Sequence, residues 1–65
     1  MTPDEFRRHR RKLGLTQPQL AVVLGYGISG QARISEIENG ETVPTRSGKL
    51  LLAYADGYRP KDWPR

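Results

Sequence analysis

Residues Leu15 to Gly40 read LTQPQLAVVLGYGISGQARISEIENG, and this stretch decides the fold. Thr16, with Gln19 three residues later, forms a capping box that opens a helix. Pro18 fits the first turn, where a missing N–H removes no helical bond. Leu20, Ala21, Val23 and Leu24 supply an apolar face, and Gly25 is a natural stop. Tyr26-Gly27-Ile28-Ser29-Gly30 reads as a turn, rich in residues that permit positive φ. Ser29 or Gly30 starts the next helix, which runs to Asn39 with Gly40 at its C-cap. Ile34 and Ile37 are its buried pair. At about 100° per residue the opposite face carries Ala32, Ser35 and Glu36, with Ser29 at the start. Gln31 and Arg33 flank that face. A helix with one apolar stripe and one stripe of mostly short polar residues can approach another surface closely.

Before this stretch, Thr2-Pro3-Asp4-Glu5 is a second capping box with proline at the first helical position. The helix it opens runs to about Leu13 and stops at Gly14. Its inward side, Phe6 and Leu13 with His9 and Arg10 between them, is unusually polar. His9 is expected to be a half-buried packing residue. Arg7, Arg8, Arg10, Arg11 and Lys12 are five of the eleven basic residues. Arg7, Arg8 and Arg11 form a solvated face on the plain reading. After the central stretch, Thr42-Val43-Pro44 is a loop, and Pro44 or Thr45 begins a fourth helix that continues to Asp56 and ends at Gly57. Lys49 to Ala55 is the most apolar part of the chain, more so than one core-facing side requires. The segment from Tyr58 to Arg65 has two prolines and no periodicity, so it is expected to be non-helical. Its Tyr58 and Trp63 are either a lid on the core or part of an interface. The domain is expected over residues 1–57, with the tail at 58–65.

Sixty-five residues allow one small domain. Such a domain buries only about 60% of its unfolded surface, so its stability is marginal. The absence of cysteine excludes disulfides and thiolate metal sites, and one histidine is too few for a zinc cluster. No metal, cofactor or small-molecule effector is expected. No apolar run approaches the roughly 20 residues that span a bilayer. With no apolar segment behind Thr2-Pro3-Asp4-Glu5, a cytoplasmic, nucleoid-associated protein is expected. Eleven Lys and Arg against seven Asp and Glu give a net charge of +4, which suits a polyanionic partner. The acids cluster at Glu36, Glu38 and Glu41.

The pattern Leu15-Thr16-Gln17, Leu20-Ala21, Leu24-Gly25 and Ile34-Ser35-x-Ile37-Glu38-Asn39-Gly40 resembles the lambda-repressor-like, Cro/Xre-type helix-turn-helix family over roughly residues 3 to 56. The resemblance implies an all-α domain of four to five helices, with helices 2 and 3 as the helix-turn-helix. It implies double-stranded DNA as partner. Helix 2 would aim its N-terminus at a phosphate, assisted by Thr16 and Gln17, and helix 3 would lie in the major groove. The family's base-reading positions fall on Gln31, Ala32 and Glu36, with Arg33 a reader of guanine or a phosphate contact. Glu36 has a plainer alternative as the intrahelical partner of Arg33. Ser29, Ser35, Asn39, Thr45, Arg46 and Lys49 are expected on phosphates. The resemblance pairs an arginine of helix 1 with the glutamate of the Ile-Glu motif, here Arg10 with Glu38. One departure stands out: eight residues, Tyr26 to Arg33, separate Leu24-Gly25 from Ile34, more than the family usually has. Either the turn is lengthened or helix 3 starts a turn earlier. In the second case Ser29 and Tyr26 also reach the DNA.

These features imply a DNA-binding transcriptional regulator, most simply a small repressor acting as a homodimer on an inverted repeat. The apolar excess around helix 4 and the tail places dimer contacts at Leu51, Tyr54, Tyr58 and Trp63. A protein-interaction module on the same scaffold, such as an antitoxin or a polymerase-binding partner, is the alternative. An enzyme is disfavoured, because no nucleophile–base pair, metal cluster or phosphate loop is visible in the sequence.

Overall fold

Helix α1 spans Pro3–Lys12 and begins at the capping box that the sequence predicts. The Thr2 N–H donates to the Glu5 carboxylate at 2.8 Å, and the Glu5 N–H donates to the Thr2 hydroxyl at 3.2 Å. The Thr2 backbone bond, more than any other contact, holds the Glu5 carboxyl below its ordinary pKa. The computed structural model describes residues 1–40 and 42–64. Glu41, counted above among the clustered acids, and Arg65 lie outside the described residues. Helix α2, Gln17–Val23, opens on the second capping box: Thr16 N–H donates to Gln19 Oε1 at 2.9 Å, and Gln19 N–H returns to the Thr16 hydroxyl at 3.2 Å. Helix α3 spans Gln31–Glu38 and α4 spans Thr45–Ala55. Among the described residues there is no strand, so the domain is all-helical.

The long connection between α2 and α3 resolves into a short 3-10 turn, Ile28–Gly30, that runs directly into α3. The extra length is therefore an added turn of helix at the start of α3 rather than a slack loop. Gly27, at φ 85°, reverses the chain before it. Gly30 is buried against α2, where a methyl would stand 2.5 Å from Tyr26 Cβ and 3.0 Å from Ala21 Cβ. Two small residues, Ala21 and Gly30, thus let the two segments cross at close range.

Phe6 of α1, Leu15, Leu20, Ala21 and Val23 of the α2 region, Ile34 and Ile37 of α3, and Leu51 and Tyr54 of α4 form one core. Leu13, Leu24, Tyr26, Val43, Leu50 and Trp63 pack on it while half-buried. Helix α2 packs on α3 and on the 3-10 turn; α1 packs on both α3 and α4. Two phenols tie the layers. The Tyr54 hydroxyl donates to the Val23 carbonyl at the end of α2, and the Tyr26 and Ser47 hydroxyls share a 2.6 Å bond between turn and α4. Burial, then nearby Asp62 and Tyr58, raise the Tyr54 phenol above its ordinary pKa.

The tail folds back as a lid. Trp63 meets the edge of Tyr54 with ring centres 5.2 Å apart, and the Arg59 guanidinium lies 4.1 Å from the Trp63 ring centre. Arg59 also donates to the Tyr54 carbonyl at 2.8 Å. This corrects part of the expected dimer surface. Leu51 and Tyr54 are fully inside their own core and offer nothing to a second chain. Tyr58, stacked on Tyr54 at 5.9 Å, remains 57% exposed, and Leu52 is a large apolar residue of α4 that faces out.

Candidate nucleic-acid interface

The exposed face of the chain's centre is built on a buried carboxylate. Glu38 is the last residue of α3, and its side chain is only 3% exposed. Arg10 Nε donates to Glu38 Oε2 at 2.6 Å and Arg10 Nη2 to Oε1 at 3.1 Å, a bidentate fork. Arg10 Nη1 donates to the Leu15 carbonyl at 3.0 Å, which fixes the chain entering α2. Arg7 Nη2 donates to the Glu38 carbonyl at 2.7 Å, capping the end of α3 with a cation where the dipole favours one. This engages Arg7, expected above as part of a solvated face, while Arg8, Arg11 and Lys12 are exposed. A half-buried arginine beside a helix C-terminus could have been suspected from the sequence, but not which carbonyl it meets. His9 is half-buried on the same helix.

From Glu38 a chain of amides leads outward. Gln17 Nε2 donates to Glu38 Oε1 at 3.2 Å, and Gln31 Nε2 donates to Gln17 Oε1 at 3.4 Å. Gln17, expected on a phosphate, is thus half-buried and tied into this network, and Gln31 at the start of α3 is oriented by it. Each amide keeps unused capacity, because a glutamine carries two donors and an acceptor with two lone pairs. The Thr16 hydroxyl already accepts the Gln19 N–H as the α2 cap, and its own proton stays available.

Gln31, Ala32, Arg33 and Glu36 are all exposed on α3, and Ser29 is exposed on the turn before it. Arg33 and Glu36 lie 3.5 Å apart with 47% and 61% of their side chains exposed, so the intrahelical pairing is present in the free chain. Such a pair contributes less than about 1 kcal/mol and opens readily to a competing partner. Ser35 is half-buried and its hydroxyl accepts from Asn39 Nδ2 at 3.1 Å. Thr45, Arg46 and Lys49 are exposed at the start of α4. Arg33 and Arg46 line one cleft of about 330 Å³ beside Gly25 and Tyr26, bringing guanidinium groups of α3 and α4 to one opening. Tyr26, by contrast, turns inward to Ser47 and is half-buried.

Two helices, α2 and α3, therefore cross at a glycine-marked turn, with a polar stripe of the second left open to solvent. The family model of the helix-turn-helix domain matches residues 4–62. The chain belongs to this family. No curated protein and no solved structure matches it. The matched range runs from the second residue of α1 through the end of α4 and stops one residue short of Trp63. Among the described residues no helix is long and apolar enough to cross a membrane, and no group of three or more His, Cys, Asp or Glu is placed to hold a metal ion. Helix-turn-helix domains are DNA-binding units of regulators, and the second helix is the one that enters the major groove.

Proposed function

We propose that this chain is a sequence-specific transcriptional regulator, a repressor that binds an inverted repeat as a homodimer. The observation that carries the reading is the Glu38–Gln17–Gln31 relay, which presents Gln31 at the exposed start of α3. An oriented glutamine of this kind pairs bidentately with adenine N6 and N7. Ala32 then contacts a thymine methyl, and Glu36 accepts from cytosine N4 once Arg33 swings from it to guanine or a phosphate. Thr16, Gln17, Ser29, Ser35, Asn39, Thr45, Arg46 and Lys49 hold the backbone, and the Arg33–Arg46 cleft takes a phosphate. The second protomer docks through the exposed Tyr58 and the half-buried Trp63, with Leu52 in place of the buried Leu51 and Tyr54. Repression follows from occupying a promoter against polymerase.

In-vitro selection of bound duplexes tests this. The expected product is an inverted repeat with half-sites about one helical turn apart. If a dimer neutralises roughly six phosphates, log K falls with log salt at a slope of about −5. Gln31→Ala is expected to cost about 1–3 kcal/mol and relax the preference at one base pair of each half-site. No enriched duplex, or a salt-insensitive association with a protein instead, would overturn the proposal in favour of an interaction module.

A further inference from the structure

One large apolar side chain stands in the open beside the reading face. Ile28 is 86% exposed, against 57% for Tyr58, 47% for Leu52 and 42% for Met1. The turn holds it there. Gly30 is pressed against Ala21 and Tyr26, and Tyr26 is itself tied to Ser47. A 3-10 turn advances about 120° per residue, so with its third residue facing α2 the first two face away. Ile28 and Ser29 thus look outward. Ile28 precedes Gln31 and Ala32 by three and four residues and extends their exposed stripe by one turn.

A turn at this point is served equally well by serine, asparagine or aspartate. A branched apolar residue adds nothing to the free chain's core, which Ile28 does not join. Phosphates and sugars offer it no specific partner. On the major-groove edge of base pairs, the apolar group is the C5-methyl of thymine. We propose that Ile28 is a specificity-determining residue that reads a thymine methyl next to the base pair met by Gln31. The inference rests on the DNA-binding reading above and adds a contact at the added turn.

The test uses the tightest duplex recovered by selection with the whole chain. Each thymine is replaced in turn by deoxyuridine, which deletes the methyl alone. At one thymine the unaltered chain is expected to lose affinity about four-fold, the equivalent of one buried methylene. Ile28→Ala is expected to bind the unmodified duplex about four-fold more weakly and to be indifferent to deoxyuridine at that thymine. Deoxyuridine at the thymine met by Ala32 weakens both chains alike, which separates the two contacts. The inference is overturned if Ile28→Ala binds the unmodified duplex as tightly as the unaltered chain, or if both lose the same factor at every thymine. It is also overturned if the substitution changes only the sedimentation of the free chain, which would assign Ile28 to a protein contact. A chain that enriches no duplex refutes the DNA-binding reading itself, and this inference falls with it.

Discussion

Replacing Glu38 with alanine removes the carboxylate at the meeting point of α1, α2 and α3. Three side-chain hydrogen bonds are lost, two from Arg10 and one from Gln17. Arg7 Nε, 3.7 Å from the carboxylate, also loses its counter-charge. The Arg10 side chain is 13% exposed and keeps its bond to the Leu15 carbonyl, so part of its charge remains solvated. Stranding one partner of a buried pair costs about 3–5 kcal/mol, and this residual solvation places Glu38→Ala near the lower end. A chain of this length has roughly 3–10 kcal/mol of total stability, so the variant is expected to be severely destabilised or unfolded. Urea unfolding followed by Trp63 fluorescence and helical circular dichroism measures the loss. A thermal midpoint falls by about 4–8 °C per kcal/mol in a domain of this size, so a drop of about 12 °C or more is expected. The double variant Arg10→Met with Glu38→Met is expected to recover most of the stability, because the buried guanidinium goes with the carboxylate, and Arg7, 36% exposed, stays solvated and keeps its bond to the main-chain carbonyl of residue 38. A loss of less than about 1 kcal/mol for Glu38→Ala, the range of an exposed pair, would refute the account of the carboxylate as a buried organiser.

Gly30→Ala offers a test of sign. Gly30 has an ordinary φ of −80°, where alanine would normally stabilise by about 0.4–1 kcal/mol through the unfolded chain. Contact with Tyr26 Cβ at 2.5 Å reverses this, and urea titration is expected to show a loss of about 1–3 kcal/mol. Tyr54→Phe keeps the ring but leaves the Val23 carbonyl without its donor, an expected cost of about 1–3 kcal/mol by the same assay. The raised Tyr54 pKa means that the folded chain favours the neutral phenol. Its contribution is complete below the ordinary tyrosine range and is lost as pH rises through the folded value, so alkaline unfolding should be less steep in Tyr54→Phe. Glu5 works in the opposite direction: its lowered pKa adds stability above the ordinary carboxylate range, lost as pH falls through the folded value.

Local chemistry made much of the fold legible. Both capping boxes, the stops at Gly14, Gly25, Gly40 and Gly57, and the buried positions Phe6, Leu20, Ile34 and Ile37 follow from spacing and side-chain type. The polar inner side of α1 is an anomaly visible in the sequence, and the family resemblance points to Glu38 as the partner of Arg10. Other features depend on packing between distant segments. Nothing local says that Arg7 reaches the Glu38 carbonyl, that Tyr26 turns inward to Ser47, or that the tail closes over Tyr54. The apolar run of α4 could be recognised as excessive, but only the packing separates Leu51 and Tyr54 inside from Leu52 outside. The exposure of Ile28 likewise depends on packing between distant segments. An isoleucine in a turn carries no local sign of its exposure; the close approach at Gly30 fixes which way the turn faces.

The Glu38 knot also sets what can be exchanged in this protein. Residues 32, 33 and 36 of α3 hold no part of the scaffold beyond their own exposed surface pair, so new side chains there alter what is read while the frame stays as it is. The end of α3 is different. A recognition helix grafted from another regulator carries its own residue at position 38, where Arg10 forks a carboxylate while Arg7 bonds the main-chain carbonyl that any residue supplies. Retargeting by point changes along the outer stripe is therefore feasible, whereas a whole-helix transplant succeeds only if the donor brings a glutamate at that position or Arg10 is changed with it.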